Sequence, residues 1–248
     1  MNRLFEFADQ AWLPRLFRDL LTELLHYQLN TYRIYWPIIP KLNETLRRSQ
    51  STEILDLCSG SGGPLLYLRP YLRAVRFTLS DKYPNQRALQ ALHDAPDVTY
   101  LPYPLDARAA PRLKACRTLF TSFHHFDPSD ARRILKSAVE AQAPIAVFEF
   151  TERTPANLRG MLLAPLGVWR DTWQMRPRRL SRLFWTYVAP VIPFLYTWDG
   201  IVSHWRTYRV AELRALTEEF IDYAWEVGTL PPEAARDRIT YLIGIPAG

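Results

Sequence analysis

The chain has 248 residues, 48% apolar and 23% charged, with a net charge of +6. That much apolar material makes one large core or two small ones and excludes wholesale disorder. The mild positive charge is weak evidence for nucleic acid, and two cysteines, Cys58 and Cys116, do not make a disulfide framework, so a reducing cytoplasm is expected.

Residues 1–50 read as a helical cap. Glu6 and Asp9 stand where a secretion signal needs an apolar run. Trp12, Leu13, Leu16, Phe17, Leu20, Leu21, Leu24 and Leu25 recur at helical spacing. Pro37 and Pro40 re-aim the chain, and a second helix runs to about Arg48. Tyr35 and Trp36, just before that break, are candidate substrate contacts. From residue 52 strands and helices alternate. Strands are predicted at 52–57, 74–80, 97–102, 117–122 and 144–150, with helices at 63–72, 84–94 and 128–142. Asp127 before Pro128, and Thr154 before Pro155, each supply an N-cap and a proline at the first helical position. This alternation predicts an α/β fold with a doubly wound, mostly parallel sheet.

Residues 151–206 interrupt the alternation and are too long for a simple crossover, so they read as an inserted helical lid. Leu183 to Val202 is their most apolar part, but Pro190, Pro193, Asp199 and Gly200 exclude a spanning helix. A helix at 209–219 returns to the core, which comprises 51–150 and 207–248. Two strands at 221–229 and 237–245, joined near Pro231 and Pro232, form an antiparallel hairpin.

The first strand runs into Asp56, Cys58, Ser59, Gly60, Gly62 and Gly63. A glycine turn there brings bare backbone to a ligand at the carboxyl edge of a parallel sheet. The turn lacks the Gly-Lys-Ser/Thr ending of a phosphate-binding P-loop. It also puts Leu65 where a dinucleotide fingerprint has its third glycine. Asp81 ends the second strand, 25 residues after Asp56, where a carboxylate can accept from both hydroxyls of a ribose. Asp106 follows the third strand and is placed to accept from an adenine amino group. The competing readings are a plain turn, a helix cap at Asp81 and a surface acid at Asp106.

With these residues in order the chain resembles the class I S-adenosylmethionine-dependent methyltransferases over 52–150 and 207–248. The first motif is carried by Asp56, Gly60 and Gly62, the second by Asp81, the third by Asp106, and the fourth by residues 122–127. The resemblance implies a Rossmann-like seven-stranded sheet with an antiparallel last strand. It implies S-adenosyl-L-methionine as cofactor, contacted by Asp56, Cys58, Ser59, Gly60, Gly62, Asp81, Lys82, Asp106, Ala107 and Ser122. It departs at Cys58, where the family usually has glycine.

His125 and Glu149 are candidate general bases, and His124 is a candidate substrate contact. No metal is expected, because neighbouring residues of a strand point to opposite faces and Asp127 already caps a helix. Arg153, Trp198, Asp199, Ser203 and Arg206 complete the candidate substrate contacts. Arg153 is also a candidate ion-pair partner of Glu149. The lid's Trp169, Trp173, Trp185, Tyr187 and Tyr196, with Arg176, Arg178, Arg179 and Arg182, have three readings. They wall an apolar pocket, rest on an anionic membrane surface, or form a packed helical pair with a charged face. Methyl transfer to a small, aromatic or apolar acceptor is the expected activity. The alternatives are aminobutyrate transfer or cyclisation of the same cofactor, or a catalytically idle module that binds a partner or membrane through 151–206. No nucleic-acid partner is expected, since the basic residues form no clear stripe.

Overall fold

The computed structural model describes residues 4–72, 74–93, 95–230 and 238–247. Five strands are parallel: β1 Glu53–Leu57, β2 Arg76–Ser80, β3 Val98–Tyr100, β4 Cys116–Phe120 and β5 Ile145–Glu149. Two longer strands, β6 Tyr223–Leu230 and β7 Ile239–Pro246, pair with each other antiparallel, and β7 runs antiparallel to β5. The sheet order is β3-β2-β1-β4-β5-β7-β6. The inner strands β4 and β5 are buried at every position, as strands covered on both faces must be. The chain leaves β1 first toward β2 and later toward β4, so the order reverses there. A crevice therefore opens beyond the carboxyl ends of these strands.

Helices α1 Arg15–Thr31 and α2 Ile39–Arg48 precede the sheet; α3 Leu65–Leu68, α4 Gln86–Leu92 and α5 Pro128–Glu140 lie between strands. The inserted segment contains α6 Pro155–Gly160, α7 Ala164–Gln174, α8 Leu180–Leu183 and α9 Val191–Arg206, with a π-helical turn at Phe184–Val188. Helix α10 Val210–Thr217 leads into β6. One core face joins Ile54, Phe77, Phe148 and Ile243 of the sheet to Ile38 and Leu42 of the N-terminal segment. The other joins Leu55, Leu119, Val147 and Leu242 to Ile134 and Leu135 of α5 and Leu213 of α10. A third cluster packs Leu20, Leu21 and Leu24 of α1 on Val168, Ile192 and Leu195 of α7 and α9. The N-terminal cap and the insertion thus share one helical layer over the sheet edge.

Three local readings are corrected. The helix expected at 63–72 ends at Leu68 and tightens into a 3₁₀ turn at Arg69–Tyr71, because Pro70 offers no N–H to continue it. Helix α4 is capped by Asn85, whose side chain accepts from the N–H groups of Arg87 and Ala88, so Asp81 is free of that task. His124 and His125 sit in a 3₁₀ turn, Phe123–His125, and not in a strand. The caps at Asp127 and Thr154 form as expected, accepting from Asp130 and Asn157. The turn expected at Pro231 and Pro232 lies outside the described residues.

Candidate active site

Backbone geometry explains the glycines after β1. Gly60, Gly62 and Gly63 have φ of +54°, +104° and +52°, the left-handed region that side chains avoid. Cys58 has φ +62°, so the cysteine occupies a position that itself favours glycine. Burial pushes its thiol well above the ordinary range, with Asp81 and Asp56 adding to it, so it is no nucleophile. Cys58→Gly should cost nothing measurable, and Cys58→Val should lose about 1–2 kcal/mol, both read by urea denaturation. A fully stable valine variant would contradict this reading of the turn.

Asp56 is buried, and its carboxylate accepts from Ser59 Oγ and Thr118 Oγ1, each at 2.6 Å. Burial pushes its carboxyl up to about 7 against those two hydrogen bonds. Asp81 accepts from Gly60 N and Tyr83 N, each at 2.8 Å, and so ties the glycine turn to the end of β2. Asp106 caps a short turn over Ala107 and is clasped by Arg108 at 2.6 and 2.9 Å. Arg108 in turn reaches Asp130. Asp56, Cys58, Ser59, Gly60, Asp81, Lys82, Asp106, Ala107 and Ser122 all line one cavity of about 440 Å³. Gly62 lies behind the wall; a Cβ there would meet Leu66 Cδ1 at 2.8 Å.

The far side of this cavity comes from the cap and the insertion. Arg18, Leu21, Thr22, Leu25, His26 and Leu29 of α1 line it, with Met161, Tyr196, Asp199, Gly200 and Ser203. Arg18 donates to the carbonyls of Ala8 and Gln10 and lies over the Tyr83 ring. His26 Nδ1 lies 3.0 Å from Gly63 O, tying α1 to the glycine turn. Helical spacing marked α1 as amphipathic, but it could not say that the buried stripe faces a ligand cavity as well as a core.

The two expected bases have other tasks. Glu149 is buried off the cavity wall. Its Oε1 accepts from the N–H groups of Ser122, Phe123 and His124, and its Oε2 meets His124 Nδ1 at 2.8 Å and Thr151 Oγ1 at 3.2 Å. It shapes the 3₁₀ turn and has no spare lone pair facing the cavity. His125 does line the cavity. Burial opposes a charge on its ring, but Glu6 at 3.4 Å and Asp9 at 2.8 Å outweigh this and hold it up at about 10. These two carboxylates favour the protonated ring, which works against a role as proton acceptor.

Glu6 was not foreseen as a site residue, and it organises this corner. It accepts from Ser203 Oγ at 3.0 Å and from Arg206, which also reaches Asp9 and the carbonyl of His125. Donor atoms of Glu6, His124 and His125 lie within 4.8 Å of one another, a grouping that strand alternation would have forbidden and the 3₁₀ turn allows. The Arg206 guanidinium, 3.2 Å from Glu6, already balances that carboxylate. Asp199 accepts from the N–H groups of Phe7 and Ala8, and burial pushes its carboxyl up to about 7.

Five expected substrate contacts do not line the cavity. Tyr35 is fully buried, bonded to Thr121 Oγ1 and the Phe148 carbonyl. Trp36 packs outside on Tyr67 and Tyr71. Arg153 pairs with Glu212 and the Thr207 carbonyl, not with Glu149. Trp198 donates to the Phe5 carbonyl. Arg206 acts through Glu6 and Asp9 and is also absent from the wall, whereas His124, Asp199 and Ser203 belong to it.

Neither a family model nor a curated protein matches the sequence. Solved structures do match. The plantazolicin methyltransferase BpumL, bound to a pentazolic desmethylPZN analogue and SAH, superposes with a TM-score of 0.55 at 10% identity, over 94% of this chain and 99% of its own. Human N-acetylserotonin methyltransferase, bound to SAM, superposes with a TM-score of 0.53 at 12% identity, over 92% of this chain and 57% of its own. The chain has the class I S-adenosylmethionine-dependent methyltransferase fold. A Rhodobacter sphaeroides protein described as a Zn-dependent alcohol dehydrogenase matches too, with a TM-score of 0.54 at 14% identity over 94% of this chain and 98% of its own. A shared fold does not set the chemistry. Within the methyltransferase fold the reversed β7 departs from the all-parallel order of a dinucleotide sheet.

Proposed function

We propose that this protein is an S-adenosylmethionine-dependent methyltransferase acting on a small acceptor with an apolar body. The observation that carries this is Asp81, at the carboxyl end of β2, lining the cavity while its two backbone donors tie it to the glycine turn. Each carboxylate oxygen keeps a lone pair for a ribose hydroxyl. The residues present fit the cofactor. Gly60 and Gly63 bring bare backbone to the cavity, the buried Ser122 stands on its wall beside Cys58, and about 440 Å³ is within the range of ligand pockets.

S-adenosylmethionine, when bound, supplies a methyl group on a sulfonium that is already a good leaving group. The chain's work is alignment and exclusion of water. Orientation of this kind supplies roughly 7–11 kcal/mol in favourable cases. Leu21, Leu25, Leu29, Phe120, Phe150 and Met161 offer the acceptor an apolar wall. Asp199 is the group we assign to hold the acceptor's proton, since its carboxyl lies near 7 and faces the cavity.

Asp199→Asn should slow turnover by about 10²-fold while leaving affinity for S-adenosylhomocysteine within twofold. Chromatography of the products tests the reaction itself. S-adenosylhomocysteine is the expected product; methylthioadenosine would mean transfer of the aminobutyrate chain instead.

A further inference from the structure

We propose that the outer face of the inserted segment docks on an anionic lipid surface. This goes beyond the cofactor reading and does not depend on it. The register of α7 and the turn before it puts Leu162, Leu166, Trp169 and Trp173 along one side, at spacings of four, three and four residues. That side faces solvent: Leu162 is 66% exposed, Leu166 60% and Trp173 56%.

The π-helical turn extends the patch. Tyr187 donates to the Trp169 carbonyl and its ring meets Trp173 at 6.4 Å, while the adjacent Val188 is 72% exposed. A run of exposed leucine and tryptophan on one face is a docking surface, not a scatter of single apolar residues. Met161, next to Leu162, turns the other way and lines the cavity.

Charge selects the occupant. Residues 151–206 hold eight arginines, no lysine and three acids, a surplus of five of the chain's net +6. Arg179 and Arg182 pair with Glu23, but Arg159, Arg176 and Arg178 are exposed and face no carboxylate among the described ion pairs. Arg178 lies over the Trp173 ring at 4.4 Å, and Arg176 donates to the Trp173 carbonyl at 2.9 Å. Tryptophan, tyrosine and arginine around a leucine patch is the composition that settles at a lipid headgroup boundary. A second copy fits poorly, because a two-fold contact of this face with itself would set arginine against arginine.

Sedimentation with vesicles of phosphatidylcholine, with and without phosphatidylglycerol, tests the proposal. The protein should pellet only with phosphatidylglycerol, and high salt should release it. Leu166→Glu combined with Trp173→Glu should reduce binding at least tenfold, and Arg176→Ser or Arg178→Ser roughly fivefold each. These positions are exposed, so the variants should keep the parent's melting temperature and S-adenosylhomocysteine affinity. Three results would overturn the proposal: no pelleting with either vesicle, pelleting of the glutamate variants like the parent, or a dimer in light scattering that the glutamate variants abolish.

Discussion

Asp81→Ala should weaken S-adenosylhomocysteine binding by about two orders of magnitude, the largest effect on affinity of any single substitution at the site. Hydrogen bonds to a charged group contribute about 1.5–3 kcal/mol each, and Asp81 is placed to accept two from a ribose. The variant also loses the tie between Gly60 N and the end of β2, so the turn loosens as the acceptor disappears. Asp81→Asn separates the two effects. Its amide NH₂ must face either a backbone N–H or a ribose hydroxyl, so affinity should fall nearly as far while shape is kept. Calorimetric titration reads both variants, and an alanine variant with parental affinity would remove Asp81 from the cofactor site.

Glu149→Ala should cost about 3–5 kcal/mol of stability, because it strands His124 and three backbone N–H groups in a dry interior. In a chain of this size that is a melting-temperature drop of roughly 10 °C. A general base would behave differently, losing turnover without losing stability. The pH dependence follows the same carboxylate. Burial raises its pKa, but His124 and the backbone donors outweigh burial and hold it below the ordinary glutamate value. The stability it contributes is therefore present above the unfolded glutamate pKa of 4.5 and is lost as pH falls through the folded value. In the alanine variant that acid-limb loss should be absent. A variant that melts with the parent would return Glu149 to the list of candidate bases.

Much of the fold was legible because it rests on short-range rules. Apolar runs ending in Asp56 and Asp81, a glycine turn, and proline-marked helix starts all act within a few residues. They placed seven strands and one edge of the cavity. The opposite wall was not legible in the same way. Glu6 and Asp9 meet Arg206 across about 200 positions of chain and His125 across more than 110, and no local pattern announces such a pairing. The same separation in sequence hides the partners of His125. His125 and Glu149 sit at a sheet edge where chemistry is usual, but their partners decide their protonation and occupy their lone pairs. For Trp169 and Trp173 the sequence leaves a pocket wall, a membrane surface and a packed helical pair all open, since periodicity gives the side of a helix and not what lies against it.

The proposed activity requires one cavity, at the reversal of the sheet, to accept an adenosine-bearing sulfonium cofactor. Calorimetric titration of the purified protein with S-adenosylhomocysteine, beside a parallel titration with NAD, tests this most directly. A single-site isotherm with S-adenosylhomocysteine and a flat trace with NAD is the expected result; heat from NAD alone, or from neither, would contradict it.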